Sequence, residues 1–346
     1  MLPQVSVLIV SYNTREMTLR CLQTLFDHSE SVTTEVIVVD NASCDGSVEA
    51  IRERFPTVRI HASEENLGFG RANNIAMEMA TAPWFLLLNS DAFVHAGALQ
   101  SLLEYSNYAL HKGERRVGVV APRLLNRDGT HQMSHHDFVT PLGVWRENLG
   151  LSSLRNFIVK KLRTNDVIAD EAIAEESRAV DWAIGACLLV RREVWQQVGG
   201  FDERFFMYQE EADWQRRITA AGWEIRFLPS AQVTHWGGAS GNASENASEN
   251  ETARVSQHFF ESLDFYQWKH YGWRGLLSLR AAMTVGCAAR TAAWTLASLA
   301  PPLRSHARLK SRTMAKLLLR QAGNWNLPQI RGAKQRNPKN DLNMRD

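Results

Sequence analysis

The sequence predicts an α/β protein in which helices cover both faces of a mainly parallel sheet. Short apolar stretches alternate with helical stretches through the first half of the 346-residue chain, a pattern typical of parallel sheets. Three of these stretches, 5–10, 35–39 and 84–88, are followed directly by polar residues. Because ligands bind at the carboxyl ends of strands in open α/β sheets, we expect these polar residues to converge on a binding site.

Hydrophobic periodicity and turn residues place the individual elements. The predicted strands are residues 5–10, 35–39, 58–61, 84–88, 117–121, 180–190, 223–228 and 233–236. The predicted helices are residues 15–26, 47–55, 71–80, 98–110, 191–198 and 209–221. Thr14 precedes the first helix and is expected to cap it, since threonine is a preferred N-cap residue. Residues 126–177 are polar and have no clear period, so we interpret them as an acceptor-side loop.

Composition narrows the class of protein and its compartment. The chain is 45% hydrophobic and 22% charged, which is typical of soluble globular proteins. Its 4 cysteines lie far apart without a CxxC pair, which argues against a disulfide framework or a thiolate metal site and favours a reducing cytosol. The first strand begins at once, without a basic region or cleavage site, so no signal peptide is expected.

The net charge of +2 hides a strong asymmetry. From Arg304 onward the chain has 11 basic and 2 acidic residues, whereas the preceding part has 28 basic and 35 acidic residues. An acidic body with a basic tail indicates that the tail meets an anionic partner, either a membrane surface or a nucleic acid.

Two aspartates at strand ends are the first candidates for chemistry. Asp91 follows the buried-type strand 84–88 and is interpreted as the carboxylate that holds a divalent cation, which in turn holds a diphosphate. The structural alternative is a turn residue that caps helix 98–110. Asp40 suits the paired hydroxyls of a ribose or the edge of a base, because one carboxylate can accept two hydrogen bonds. Its alternative is a turn or cap aspartate.

Other motifs exclude some functions and leave others open. The chain has no GxxxxGK[ST] and no GxGxxG after the first strand, so a P-loop nucleoside triphosphatase and a dinucleotide-binding protein are disfavoured. Gly68 and Gly70 could let backbone approach a ligand, but one GxG is weak. The histidines of HQMSHHD (131–137) lack regular ligand spacing, so a metal site there is disfavoured.

Three carboxylates, Glu210, Glu211 and Asp213, lie at the start of helix 209–221 behind an apolar FFMY segment. Such residues favour the helix dipole, which is a purely structural explanation. Crowding beside apolar groups would also raise the pKa of a carboxyl group, as a general base requires. His235 ends a strand and precedes two glycines, a position that suits a metal ligand.

The order of these motifs resembles an inverting family 2 glycosyltransferase with a GT-A fold, and especially the rhamnosyltransferase-like bacterial branch that builds surface polysaccharides. The matching segments are VSVLIVSYN, VIVVDNASCDGS, ENLGFGRANN, FLLLNSDA, VDWAIGACLLVRRE, VGGFDERFFMYQEEADWQRR and VTHWGGAS. They cover roughly residues 5–240 in family order, and their joint occurrence is highly specific.

The resemblance implies a role for each matching residue. Those expected at the nucleotide sugar are Ser11, Asn13, Asp40, Asn66, Gly70, Asn73, Asn74 and Ser90. Asp91 matches the last aspartate of the family's DxD motif, and His235 the later histidine that can join it at Mg²⁺ or Mn²⁺. Glu211 matches the catalytic base, with Glu210 and Asp213 flanking it.

Two positions depart from the family pattern. Asn89 replaces the first aspartate of a strict DxD motif, so one carboxylate rather than two would face the metal. Glu211 stands where many relatives have aspartate. Both variants affect the assignment of roles more than the assignment of the family.

The C-terminal part is expected to be a helical extension. We predict a GT-A catalytic domain at 1–240, with a nucleotide-binding half at about 1–125 and an acceptor half at about 126–240. A flexible loop at 241–254 contains three N-x-S/T sequons, to which no modification is assigned. A helical, basic region follows at 255–346. Arginines interrupt its apolar segment 276–303, which favours an interfacial or packed helix over a membrane span.

Residues 303–321 have the pattern of a basic amphipathic helix on anionic lipid, although a helix packed on the catalytic domain would look similar. The sequence therefore predicts a cytoplasmic enzyme, peripheral at the inner face of the cytoplasmic membrane. It would transfer a sugar, with dTDP-L-rhamnose favoured as donor over UDP-sugars, to a glycan or lipid-linked saccharide acceptor. The alternatives are a sugar nucleotidyltransferase and a non-catalytic protein that binds a nucleotide sugar or nucleic acid, although no nucleic acid partner is expected.

Overall fold

The computed structural model describes residues 2–29, 31–111, 116–149, 176–237 and 249–298. Its strands are β1 Val5–Ser11, β2 Thr34–Asp40, β3 Arg59–Ala62, β4 Trp84–Asn89, β5 Ala92–Val94, β6 Val117–Leu125, β7 His131–Gln132, β8 His135–His136, β9 Arg178–Val180, β10 Trp182–Ala183, β11 Cys187–Arg191 and β12 Glu224–His235. Its helices are α1 Arg15–His28, α2 Ser47–Arg54, α3 Phe69–Met79, α4 Ala98–His111, α5 Pro141–Asn148, α6 Arg192–Val198, α7 Glu210–Ala220 and α8 Glu249–Ala297.

One mixed sheet organises these elements, in the order β3-β2-β1-β4-β11-β6-β12-β5. Strands β3, β2, β1 and β4 are parallel, as the alternating pattern predicted. Strand β11 runs antiparallel to both β4 and β6, and β12 runs parallel to β6. The predicted fold class is confirmed: a mixed, mainly parallel sheet flanked by helices, with a C-terminal helical extension.

Alternating side chains of the strands supply two cores, one on each face of the sheet. Along β1, Val5, Val7 and Ile9 face the core formed with α1, α2 and α4, whereas Leu8 faces the core formed with α3, α6 and α7. All four side chains are fully buried. Because both faces are covered, β1 has the continuous apolar run Val7–Val10 rather than an alternating pattern.

Two predicted elements differ from the structure. The predicted strand 180–190 is split into β9, β10 and β11, because Gly185 leaves the sheet and its N–H donates to Glu211 Oε1 at 3.1 Å. The two predicted strands after residue 222 form one long strand, β12, whose register shifts between Leu228 and Gln232. The register shift coincides with the break in the apolar pattern that separated the two predicted strands.

The C-terminal helix α8 begins at residue 249, so the end of the predicted flexible loop is helical, while residues 241–248 lie outside the described chain. It kinks at Gly272 (φ 64°, ψ −162°) and packs on α5 through the core around Val144 and Leu279. Of the arginines that interrupt its apolar segment, Arg280 binds Asp264 at 2.9 Å and Arg290 donates to the Asn148 carbonyl.

Over the described part of 276–303 this segment is therefore a helix packed on α5, which is one of the two possibilities predicted for it. No helix among the described residues is long and apolar enough to cross a membrane. The basic segment 303–321 lies outside the described residues.

Candidate active site

The polar ends of β1, β2 and β4 lie side by side, as predicted. Ser11 pairs in register with Asp40, and Val10 pairs with Asn89. The hydroxyl of Thr14 joins this edge by hydrogen bonding with Ser90 Oγ at 3.1 Å. Thr14 is the N-cap residue of α1, as predicted, but its side chain makes no capping hydrogen bond.

A cavity of about 190 Å³ opens at this edge. Its lining residues are Val10, Tyr12, Asn41, Asn66, Gly68, Phe69, Asn89, Ser90, Phe206 and Met207. Asn41 shapes one wall, because its side chain accepts from Leu67 N–H and donates to the Gly68 carbonyl. Gly68 has φ of 78°, and a Cβ there would lie against the Phe206 carbonyl, so only glycine fits.

Two of the residues expected at the nucleotide sugar line this cavity, namely Asn66 and Ser90. Ser11 and Asp40 are buried just behind it. Asp40 Oδ1 accepts from Ser43 N–H at 2.9 Å, whereas its Oδ2 has no hydrogen-bond partner in the described chain. Asn13 is exposed and binds the neighbouring loop through Cys44 N–H.

The structure does not place Gly70, Asn73 or Asn74 in the cavity. A Cβ at Gly70 would contact the Phe201 side chain, and Asn73 donates to the Phe69 carbonyl within its own helix. Asn74 binds the Phe201 backbone in both directions, at 2.8 and 3.0 Å. These contacts indicate that the three residues position α3 rather than touch a ligand.

Backbone conformation marks the same region. The non-glycine residues with positive φ in the described chain are Asn13, Ala42, Tyr208 and Gln209. The first two lie in the loops after β1 and β2, and the other two directly precede the carboxylates of α7. Such conformations are unfavourable for most residues and cluster at functional sites. Sequence reasoning missed them, since none of the four is a glycine.

Asp91 and His235 face each other beside the cavity. Asp91 is 1% exposed, and its Oδ1 accepts no hydrogen bond within the described residues. His235 Nε2 lies 3.4 Å from this oxygen and 3.5 Å from Asn89 Nδ2. Bonds from nitrogen or oxygen ligands to small divalent ions are about 2.1 Å long, so two ligands of one ion lie about 3 Å apart. The unpartnered oxygen and the facing nitrogen therefore fit a divalent cation.

The two residues alone do not make a closed metal site. The described residues contain no group of three or more histidine, cysteine, aspartate or glutamate side chains that could hold a metal. His135 instead binds Arg178 at 2.9 Å, and the ring of His136 lies against Trp182. The donor set at Asp91 suits an ion whose other ligands come from a bound diphosphate or from water.

Glu210 and Glu211 are the first two residues of α7. Burial raises the pKa of Glu211, and hydrogen bonds from backbone N–H groups, including that of Gly185, oppose the shift. Burial raises the pKa of Glu210 further, and repulsion from Glu211 adds to it. Glu210 Oε2 is buried without a partner in the described chain. Glu210 is therefore suited to remain protonated while Glu211 ionises.

Glu211 and Asp91 are linked through a short path of backbone contacts. Gly185 N–H binds Glu211, and the next carbonyl, that of Ala186, accepts from Asn89 N–H at 2.9 Å. Two successive hydrogen bonds thus connect Glu211 to the end of β4, and Asp91 follows this strand end in the chain.

Replacing Gly185 with alanine should lower turnover by ~10–10²-fold, because the new Cβ would lie 3.1 Å from Glu211 Oε1 and displace this carboxylate. Gly185 has no positive φ, so alanine adds no backbone strain. Steady-state rates and a urea unfolding curve would measure both effects. Gly143→Ala in α5, whose Cβ would also meet an oxygen at 3.1 Å, is the control and should leave the rate unchanged. An unchanged rate in Gly185→Ala would contradict the expected role of the Glu211 contact.

Asp213 differs from the other two carboxylates. It is fully buried, forms ion pairs with Lys269 at 2.6 Å and Arg217 at 3.0 Å, and is hydrogen-bonded to His270 at 2.8 Å. Although burial opposes it, the hydrogen bond from His270 and the charge of Lys269 lower the pKa of Asp213. Its oxygens are therefore occupied in joining α7 to α8, and the structure favours a positioning role over the predicted catalytic one.

Comparisons with known proteins identify the family of the chain. Residues 6–172 match the model of Glycosyl transferase family 2. The chain is 30% identical over 271 residues to N-acetylglucosaminyl-diphospho-decaprenol L-rhamnosyltransferase of Mycobacterium tuberculosis, covering 72% of this chain and 83% of that protein. It is 26% identical over 176 residues to rhamnosyltransferase WbbL of Escherichia coli K12, covering 49% of this chain and 61% of that protein.

A solved structure shares the fold. Mannosyltransferase PcManGT from Pyrobaculum calidifontis, in complex with GDP-Man and Mn²⁺, aligns with a TM-score of 0.52 and 18% identity. The alignment covers 93% of this chain and 87% of that chain. At this identity the similarity concerns the fold alone.

Proposed function

The chain belongs to glycosyl transferase family 2, has the GT-A fold, and is similar to rhamnosyltransferases of cell-surface polysaccharide synthesis; we propose that it transfers L-rhamnose from dTDP-L-rhamnose to a lipid-linked saccharide with inversion. The relative from Mycobacterium tuberculosis carries both the sugar and a diphospho-decaprenol acceptor in its name. The observation that supports the reaction is that two successive hydrogen bonds connect Glu211 to the end of β4, the strand that Asp91 follows.

The donor nucleotide would occupy the cavity between the ends of β1, β2 and β4. Tyr12 is 37% exposed there and offers a ring face to a base. The unpartnered Asp40 Oδ2 can accept a hydrogen bond from the base or the ribose. Asn66 and Ser90 supply further polar groups, while Ser11 and Asn13 hold the strand end and its loop through Thr14 and Cys44.

Asp91 and His235 would hold Mg²⁺ or Mn²⁺ beside the diphosphate. The ion, when bound, supplies positive charge to the oxygens of the departing diphosphate. Asn89 takes the place of a second carboxylate, so the site adds one negative charge rather than two. This arrangement leaves more of the positive charge of the ion for the diphosphate.

Glu211 would act as the general base. Its ionised carboxylate accepts the proton of the acceptor hydroxyl as the oxygen attacks the anomeric carbon and the bond from that carbon to the diphosphate oxygen breaks. One base opposite the leaving group is sufficient for a single displacement with inversion. Gly185 N–H holds Glu211 Oε1 and leaves the other oxygen for the acceptor. Glu210, kept neutral by burial, avoids a second negative charge beside the base.

A panel of nucleotide sugars tests this proposal. Melting temperature would be measured with dTDP-L-rhamnose, UDP-sugars and GDP-mannose, each with and without Mn²⁺, followed by an assay for slow donor hydrolysis. We expect the largest metal-dependent stabilisation and hydrolysis with dTDP-L-rhamnose. Stabilisation by a UDP-sugar instead would change the donor, whereas no donor-dependent effect in any arm would refute a glycosyltransferase reaction at this site.

A membrane contact of the C-terminal part is the second component of the proposal. Exposed apolar side chains of α8 after its kink, namely Trp273, Leu277, Val285 and Leu296, are 39–68% exposed. At about 100° per residue they fall within about 140° of the helix circumference. Arg274 lies within this arc of the helix. Arg280 and Arg290, by contrast, bind Asp264 and the Asn148 carbonyl. The basic tail follows in the sequence.

Leu277→Glu should weaken binding to anionic vesicles by about tenfold, because it places a charge in the apolar face that would enter the interface. Leu2→Glu, at an equally apolar and 91% exposed position, is the matched control. Co-sedimentation with vesicles of anionic and of zwitterionic lipid would measure the change. Equal binding by both variants would argue against this face as the contact. A cut after residue 275 is a poorer test, since it would remove Leu279 from the core beside Val144.

A further inference from the structure

Gln132, at the end of the two-residue strand β7, holds His235 from two sides. Its Oε1 lies 2.9 Å from His235 Nδ1, and its Nε2 lies 3.5 Å from the His235 carbonyl oxygen. The two residues are 103 positions apart in the sequence. Strand β7 reaches this place because it pairs with β6, which in turn pairs with β12.

The backbone carbonyl of His235 determines which atom is the donor in each of the two contacts with Gln132. A carbonyl oxygen only accepts hydrogen bonds, so the NH₂ group of the Gln132 amide must face it. The amide oxygen then faces His235 Nδ1, and an oxygen of this kind also only accepts. Nδ1 must therefore carry the proton, and Nε2 of a neutral imidazole must carry the lone pair.

The lone pair points to the region where the cation is proposed. Nε2 lies 3.4 Å from the unpartnered Oδ1 of Asp91 and 3.5 Å from Asn89 Nδ2. A nitrogen lone pair and a carboxylate oxygen repel each other unless a cation lies between them. The protonation that Gln132 imposes is thus the one that binds a metal ion.

The backbone of Gly237 passes close to both side chains. Its φ is 41°, a conformation that favours glycine, and a Cβ there would make ordinary van der Waals contacts with Gln132 Nε2 at 3.4 Å and with the His235 ring at 3.6 Å. The backbone conformation, rather than a lack of space, therefore favours glycine at this position.

We propose that Gln132 is a positioning residue, which fixes His235 in the Nδ1–H tautomer and directs Nε2 to the divalent cation. This inference rests on the proposed function, since the cation is the one placed beside Asp91. Gln132 touches neither substrate nor metal and acts only through His235. Its removal should leave His235 free to protonate at Nε2 and turn its lone pair away.

Mn²⁺ titrations test the proposal on the full chain saturated with dTDP, with free Mn²⁺ measured by electron paramagnetic resonance. Gln132→Met removes the acceptor at similar size and should weaken Mn²⁺ binding about 10- to 100-fold. Gln132→Glu keeps an acceptor for Nδ1–H and should remain within about threefold of the parent. Gln100→Met, at a glutamine of α4 bonded to Ser31 and Glu104, is the matched control and should not change binding.

The tautomer itself is measured in the parent protein, without any variant, from long-range ¹H–¹⁵N spectra of the histidine rings. We expect a protonated Nδ1 at His235 in the parent and in Gln132→Glu, and loss of that signature in Gln132→Met. A protonated Nε2 in the parent would overturn the inference. A Mn²⁺ affinity of Gln132→Met within threefold of the parent would also overturn it. An equal loss of Mn²⁺ affinity in Gln132→Glu and Gln132→Met would overturn it as well, because it would mean that Gln132 acts only through packing.

Asp91→Asn separates this failure from failure of the proposed site. If the parent binds Mn²⁺ and Asp91→Asn does not, but Gln132→Met does, the metal site stands and only the role of Gln132 is wrong. If the parent binds no more Mn²⁺ than Asp91→Asn, the metal site is wrong and the role of Gln132 falls with it.

Discussion

Glu211→Gln should lower turnover by ~10²–10⁴-fold and leave donor affinity nearly unchanged, because a positioned general base is typically worth this factor. Glutamine has the same shape and keeps an oxygen that can accept from Gly185 N–H, so the fold of the site is preserved. It cannot take a proton from the acceptor hydroxyl. Initial rates with saturating donor, together with a donor titration followed by melting temperature, would measure both quantities.

Glu210→Gln is the most informative control, since it changes the neighbouring carboxyl group in the same way. Because burial keeps Glu210 neutral, an amide imitates its protonated form, and the rate should fall by no more than about threefold. Glu193→Gln, an exposed position in α6, should change nothing. A rate for Glu211→Gln within threefold of the parent, or a larger loss in Glu210→Gln, would mean that Glu211 is not the base.

The dependence of turnover on pH also tests whether Glu211 is the base. The pKa of Glu211 is raised above its usual value of 4.5, and the base must be ionised to work. Turnover should therefore be lost as pH falls through a value above 4.5, and this decline at acid pH should be absent from the residual activity of Glu211→Gln.

The stability of the fold should depend on pH in the opposite direction. Because the folded state favours the neutral form of Glu211, its raised pKa stabilises the fold below pH 4.5, and this contribution is lost as pH rises through the pKa of the folded state.

Much of this site could be predicted from local sequence, because parallel strands bring their carboxyl ends together. Apolar runs followed by Ser11, Asp40 and Asp91 were sufficient to place three polar groups at one edge. Local sequence also singled out Glu211 and His235, and the family resemblance gave them their expected roles as base and metal ligand. Their burial and mutual contacts, on which the chemistry depends, follow from strand order and not from spacing along the chain.

The contacts that sequence reasoning missed are long-range or depend on backbone geometry. Gln132 lies in a polar hairpin with no period, and its partner His235 is 103 residues away. Gly185 was assigned to a strand, since nothing in its neighbours shows that it leaves the sheet for Glu211. Asp213 was grouped with the catalytic pair because helix spacing does not reveal Lys269, a cation that reaches it from α8.

Asp91→Asn should have opposite effects on activity and on stability. Loss of the carboxylate ligand should reduce metal-dependent turnover by at least ~10²-fold, since a bound ion typically stabilises transition-state charge by several kcal/mol. Without metal, the variant should unfold with a free energy about 1 kcal/mol higher than the parent. The asparagine amide can donate to His235 Nε2, whereas the buried Asp91 Oδ1 has no hydrogen-bond partner in the described structure.

Unfolding curves with and without Mn²⁺ plus dTDP distinguish this explanation from simple damage. At a ligand concentration about 100-fold above its Kd the parent should gain about 2.7 kcal/mol, and Asp91→Asn should gain much less. Asp27→Asn, at an exposed aspartate of α1 bonded to Gln23, should behave like the parent in every arm. A variant that is less stable without metal but equally protected by Mn²⁺ would place the cation elsewhere. A more stable, inactive and unprotected variant is expected only if the buried carboxylate is retained for the ion, because an unpartnered charge has no structural benefit of its own.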